Sequence, residues 1–184
     1  MGTALKDQGN LALSLQYFEK AISIDPNHGE AQFNLGLTHL NMGNLKLGLE
    51  KYEWRWLNEA LNSHQRYFAK PSWNGVESLA DKKILLWSEQ GPGDVVMWLS
   101  ALKYLLPLAK KCIIECPEKL LLLFRRSFPE AKVRIENKNS ENEPADFDVH
   151  LPIGSLYKCF LPQMSSRQSV SPYLIPDTVR VDYW

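Results

Sequence analysis

Two grammars of apolar and polar positions divide the chain. From Lys82 onward, short apolar runs alternate with segments whose apolar residues return at helical spacing. Residues 83–87 (KILLW) have the length and composition of a strand buried on both faces. The turn 88–93 (SEQGPG) comes next, and Asp94 opens a segment with apolar residues at 95, 98, 99, 102, 105 and 106, one face of a helix. The side chain of Asp94 suits the N-cap of that helix. Further strands are expected at 112–116 and 132–135, separated by a helix that Pro117 and Glu118 start and that runs to about Ser127. The polar stretch 137–145 reads as a surface loop, 147–151 (FDVHL) as a fourth strand, and 153–160 as a short helical piece. The segment 171–176 (SPYLIP) is too proline-bounded for a central strand. Strand, helix, strand, helix, strand predicts a parallel sheet with right-handed crossovers.

The first sixty residues repeat instead. Laid on itself with an offset of 34, the chain brings Gly2 onto Gly36, Gly9-Asn10-Leu11 onto Gly43-Asn44-Leu45, and Phe18 onto Tyr52. A 34-residue period with small residues and aromatics in these places is the signature of tetratricopeptide repeats, helix–turn–helix units that cannot bury their apolar face alone. In this register Leu35-Gly36 belongs to the first helix of a repeat, Phe18 and Ala21 to the second, and Pro26 closes the first repeat. Met1 then falls inside a repeat, so its first helix starts late. Two repeats are fewer than the three or so that usually make a stable solenoid, so the expectation is either that more repeats preceded Met1 in an ancestor or that the next domain caps the stack. Trp54, Arg55 and Trp56 put bulk where small residues belong. The two tryptophans serve either packing against the next part of the chain or stacking on a ligand. The expected architecture is α plus α/β: repeats over 1–60, a linker over 61–81 marked by Pro71, Asn74 and Gly75, and a Rossmann-like parallel-sheet domain over 82–184.

Composition narrows the function. The chain has 184 residues, 45% hydrophobic and 23% charged, with 21 Lys and Arg against 21 Asp and Glu. That balance lacks the electrostatic footprint of a nucleic-acid binder. No apolar run approaches the roughly 20 residues of a membrane span, and the N-terminus has no signal-peptide stretch, so a cytoplasmic location is expected. Cys112, Cys116 and Cys159 are odd in number and read as reduced structural thiols. No metal site is expected.

In an open parallel sheet, ligands bind outside the carboxyl ends of the strands. The loop after the first strand supplies Glu89, Gln90, Gly91, Gly93 and Asp94. Its glycines let a ligand approach the backbone. Asp94 is either a plain N-cap or a carboxylate able to take a proton from an attacking hydroxyl. A dinucleotide site is the competitor, with Glu115 on the second strand as ribose partner. Gly91 and Gly93 fit its fingerprint, but Val96 fills the third glycine's place, where close helix–sheet packing wants no bulk. His150, at the end of the fourth strand, is expected to face the same cleft as Asp94. No His-Glu-x-x-His, P-loop lysine or Gly-x-Ser-x-Gly elbow occurs.

The order 52–56 (YEWRW), 71–75 (PSWNG), 85–94 (LLWSEQGPGD) and 147–152 (FDVHLP) resembles bacterial tetratricopeptide-repeat glycosyltransferases, whose catalytic region is similar to heptosyltransferases and to O-linked N-acetylglucosamine transferases. The resemblance covers essentially the whole chain, and the Glu-Gln-Gly-x-Gly-Asp block is its most specific part. It implies a GT-B architecture of which residues 82–184 are the N-terminal, acceptor-side half. By resemblance Asp94 is the catalytic base or an acceptor contact, and Glu89, Gln90, Gly91, Gly93 and His150 line the acceptor site. The implied reaction is direct displacement at the anomeric carbon of a nucleotide-sugar donor, which is a substrate and not a cofactor, without a metal ion. Its donor domain, roughly another 150–200 residues by ordinary domain sizes, is expected beyond Trp184, so the chain reads as an N-terminal portion that is inactive alone. Expected partners are a protein or peptide on the repeats and, on the second domain, an acceptor that is a glycan, a protein or a lipid-linked saccharide. A tetratricopeptide-repeat interaction module without catalysis is the alternative.

Overall fold

The computed structural model describes residues 1–58, 65–137, 146–164 and 172–181, and the chain divides into two compact units, Met1–Gln65 and Arg66–Trp184. His64 and most of the polar loop expected at 137–145 lie outside the described residues.

The first unit is a pair of helical hairpins: α1 (Gly2–Asp7) with α2 (Leu11–Ile24), then α3 (Gly29–Asn41) with α4 (Leu45–Tyr52) and a 3₁₀ turn, Glu53–Leu57. Both hairpins turn on a glycine with positive φ, Gly9 at +78° and Gly43 at +79°, a conformation that costs other residues strain. An asparagine then caps the following helix in each hairpin, and the Asn10 side chain accepts the Leu13 N–H at 3.4 Å. The 34-residue equivalence holds in space. A Cβ on Gly2 would come within 2.7 Å of the Phe18 ring, and one on Gly36 within 2.9 Å of the Lys51 backbone beside Tyr52. Each glycine is thus the hollow into which the second helix of its own hairpin fits. As the register requires, α1 is short, 6 residues against the 13 of α3. Phe18, Ala31 and Leu35 form a core that Leu15, Ala21 and Ile22 surround. Arg55 is 1% exposed, its guanidinium 4.7 Å from the Tyr52 ring and 4.4 Å from the Trp56 ring, with Nη1 2.7 Å from Glu53. Cation–π contact and ion pairing offset the burial of its charge. Trp54 and Trp56 are half-buried.

The second unit is built on a four-stranded parallel sheet in the order β3-β2-β1-β4, with β1 Lys83–Trp87, β2 Lys111–Cys116, β3 Lys132–Ile135 and β4 Val149–Pro152. Central β1 is fully buried over Ile84, Leu85 and Leu86, which explains its unbroken apolar run. The register aligns Leu85 with Ile113 and His150, and Trp87 with Glu115 and Pro152, so these residues share one face. The expected helix from Asp94 starts two residues earlier, as α5 (Pro92–Leu99), because proline at the first helical position has its φ preset and lacks an N–H to satisfy. Gly91, not Asp94, is the N-cap. A turn at Ser100 and Ala101, whose N–H groups bond three residues back to Met97 and Trp98, separates α5 from α6 (Leu102–Leu105), and a 3₁₀ turn, Leu106–Leu108, containing Pro107, follows. The helix expected after Pro117 begins with a 3₁₀ turn and becomes α7 (Leu121–Ser127). After β4 come a 3₁₀ turn (Ile153–Ser155), α8 (Leu156–Met164), which packs on α5 and α6, and the short α9 (Thr178–Val181).

Residues 66–81, expected as linker, belong to the second unit. The Trp73 N–H donates to the His150 carbonyl at 2.8 Å and the His150 N–H to the Pro71 carbonyl at 3.2 Å, so Ser72 pairs in parallel beside β4. Trp73 is 5% exposed, its Nε1 donates to the Glu77 carbonyl, and its ring lies 6.1 Å from Phe160. The Asn74 side chain accepts the Val76 and Glu77 N–H groups, and Gly75 takes the positive φ, +84°, that closes the turn.

Replacing Gly36 with valine drives its side chain into the α4 backbone. A loss of roughly 1–3 kcal/mol is expected from overpacking at so tight a crossing, measured as a drop in the urea midpoint by circular dichroism. An unchanged midpoint would show that the crossing relaxes freely.

Candidate functional site

The chain leaves β1 toward β2 and β3, then returns to the opposite side of β1 as β4. The strand order reverses between β1 and β4, and in open parallel sheets ligands settle in the crevice at the carboxyl ends of such a pair. Two short connections frame it: Ser88 to Gly91 after β1, and Ile153–Ser155 after β4. They are tied together. The Gly154 N–H donates to Glu89 Oε1 at 3.0 Å, and Glu89 is 7% exposed. On the other side, Ser88 Oγ donates to Glu136 Oε2 at 2.6 Å, and the Glu136 N–H donates to the Cys116 carbonyl at 3.0 Å.

Asp94 stands in the first turn of α5, half-buried. Its Oδ2 lies 3.3 Å from where a Cβ on Gly91 would be, so the carboxylate folds back over the loop. Gly91 and Gly93 are exposed, Gln90 is half-buried, and a Cβ on Gly93 would meet nothing. The loop therefore offers an open glycine backbone next to one carboxylate, while Glu89 beside it is turned inward.

His150 is placed differently from the expectation. It lies two residues before the end of β4, and its ring sits 4.3 Å from that of Phe68. Trp87 Nε1 donates to its Nδ1 at 3.2 Å, and the ring also meets the Lys70 backbone. Burial, and then the positive Arg66 nearby, push its pKa down to about 4 against a weaker opposing pull from that backbone bond. His150 is thus a neutral imidazole holding the 66–73 segment against β4.

Sequence reasoning missed the charges under that segment. Glu115, fully buried, takes Arg66 at 2.5 Å on one oxygen and Arg134 at 2.8 Å on the other. Arg134 also reaches Asp146 at 2.8 Å, and Lys132 reaches Asp146 at 2.6 Å. Although desolvation works the other way, the hydrogen bonds of Lys132 and Arg134 hold the Asp146 carboxyl below its ordinary range. The signal was a lone glutamate inside the apolar run of β2, a position that demands cationic partners. With no exposed surface and an arginine on each oxygen, Glu115 is not presented to a ribose, which removes the anchor of the dinucleotide alternative. Of the cysteines, Cys112 and Cys116 are buried in β2, where burial pushes Cys112 up to about 12, and burial, with Glu136 next, pushes Cys116 up to about 11.

Residues 2–43 match the family model of the TPR repeat. The N-terminal unit carries a TPR repeat. Over its whole length the chain is also similar to Protein FlbA of Caulobacter vibrioides, with 22% identity, and it spans 39% of that protein. No solved structure matches. TPR helical repeats followed by a four-stranded parallel α/β unit are therefore the architecture, and no described helix is long and apolar enough to cross a membrane.

His150 titrates with a definite sign. Between pH 6.5 and about 4 the unfolded chain binds a proton that the folded ring refuses, so its contribution is complete above pH 6.5 and is lost as the pH falls toward 4. Urea midpoints at about pH 7 and pH 5 are expected to differ less in His150→Gln than in the parent chain. Equal differences would show that the ring is not the titrating group.

Proposed function

We propose that the second unit is the acceptor-side domain of a GT-B glycosyltransferase and that the TPR unit brings a protein or peptide partner to it. The observation that carries this reading is the loop after β1. At the point where strand order reverses, it offers the exposed backbone of Gly91 and Gly93 beside the half-buried carboxylate of Asp94. The resemblance of residues 85–94 to the corresponding block of repeat-fused glycosyltransferases supports it from the sequence.

In this mechanism an acceptor hydroxyl lies on the Gly91–Gly93 backbone with its proton toward Asp94. The Asp94 carboxylate takes that proton as the oxygen attacks the anomeric carbon of the nucleotide sugar. The bond from that carbon to the diphosphate breaks, and the electron pair leaves with the nucleoside diphosphate. Gln90 supplies a further polar contact to the acceptor. Donor binding and stabilisation of the leaving diphosphate belong to a second domain outside this chain. Glycan, protein and lipid-linked saccharide all present the hydroxyl that the chemistry needs. His150, whose Nδ1 accepts from Trp87, serves the fold of the domain in this reading.

A protein-interaction module is the second reading, favoured by the TPR match over residues 2–43. The two separate in one experiment. The full-length gene product is assayed against a panel of nucleotide sugars and saccharide acceptors, with release of nucleoside diphosphate as readout. Asp94→Asn is expected to lower turnover by about a hundredfold or more, the ordinary worth of a general base, with unchanged circular dichroism. Full turnover in that variant would remove Asp94 from the chemistry. No turnover in the parent, together with peptide capture by the repeats, would favour the interaction module.

A further inference from the structure

Glu89 sits in the block that resembles an acceptor site, yet its geometry is that of a strut. Its side chain is 7% exposed, and Oε1 accepts the N–H of Gly154 at 3.0 Å from the turn after β4. Glu89 lies just beyond β1, so one buried carboxylate bridges the two strands whose carboxyl ends form the crevice. Such a bond is costly to lose, because Gly154 is buried and its N–H would be stranded without water.

What the strut holds is α5, a helix of 8 residues, too short to be stable by its own hydrogen bonds. Its last turn is pinned from elsewhere: the Tyr157 hydroxyl donates to the Met97 carbonyl at 3.1 Å and the Tyr173 hydroxyl to the Val96 carbonyl. At its first turn the carbonyl of Gly91 accepts the Val95 N–H at 3.1 Å, and Gly91 is two residues from Glu89. The carboxyl end of α5 is therefore anchored by two phenols, and its amino end is set by where Glu89 fixes the loop.

We propose that Glu89 is a positioning residue: its carboxylate, held on the Gly154 N–H, sets the place of the Gly91–Asp94 turn without touching the acceptor. This rests on the reading of Asp94 given above and narrows it, leaving Gln90, Gly91, Gly93 and Asp94 as the groups that meet the substrate hydroxyl. The conservative glutamine keeps an oxygen for Gly154 and loses the charge, whereas alanine removes both.

The test is amide spectroscopy on the ¹⁵N-labelled chain, with Glu89→Ala and Glu89→Gln beside it. In Glu89→Ala the Gly154 amide is expected to lose its downfield position and the Val95 amide to exchange at least tenfold faster, while Ile113 and Ile114 in the sheet keep their rates. Glu89→Gln is expected to restore most of the Val95 protection while still shifting Gly154. An unchanged Gly154 resonance and Val95 exchange in Glu89→Ala would overturn the proposal and return Glu89 to the ligand contacts. Should the alanine variant fail to fold, the glutamine variant decides alone: an unmoved Gly154 amide overturns the strut. None of these readouts depends on sugar transfer, so failure of the Asp94 chemistry and failure of the strut are seen separately.

Discussion

Parallel pairing on both sides of β1 is the constraint on which the rest of the second unit depends. A strand flanked on both edges and covered on both faces must be apolar throughout, and Ile84, Leu85 and Leu86 meet that demand with no exposed surface. Because both neighbours are parallel, every connection must cross from the carboxyl end of one strand to the amino end of another. The turns at the carboxyl ends are thereby gathered on one rim. Ser88, Glu89, Glu136 and Gly154, widely separated in sequence, are joined by hydrogen bonds there, Ser88 to Glu136 and Glu89 to Gly154.

Burial of Glu115 is the second organising fact. One oxygen meets Arg66 and the other Arg134, so an ionised group within the sheet recruits the residues just before the Pro71–Trp73 pairing as well as β3. Leaving such a carboxylate unpaired would be far costlier than the neutral pairs around it, which makes the 66–73 segment an obligate part of the domain. His150 and Phe68 complete the same contact from the β4 side. The segment's amino acids give little hint of this, since no period marks a chain that is held by single contacts.

What the sequence made legible divides in the same way. The 34-residue offset exposed the hairpins because repeated shape needs repeated residues, with Gly2 seating the Phe18 ring and Gly36 the Lys51–Tyr52 backbone of a second helix. Strands β1 and β3 carry their full pattern locally and were placed at their observed bounds. The start of α5 was misplaced because the capping preference of Asp94 competes with the fixed φ of Pro92, and proline dominates. His150 and Glu89 could not be sorted from the chain alone. One looked like a site residue and is packed under Phe68, and the other sits in the most distinctive block of the sequence yet points inward. Both outcomes depend on partners, Lys70, Trp87 and Gly154, whose positions only the sheet topology fixes.

The phenols on α5 have a consequence in time. Tyr157 and Tyr173 reach the carbonyls of Met97 and Val96 from 60 and 77 residues further along. The β4 edge of β1 is likewise filled by a strand that is synthesised only after β2 and β3. A nascent chain that has emerged through β3 therefore owns three strands and an unanchored first helix, with one side of its central strand bare. The carboxyl end of α5 therefore has both its anchors in reach only once residue 173 has been made, later than every strand of the sheet.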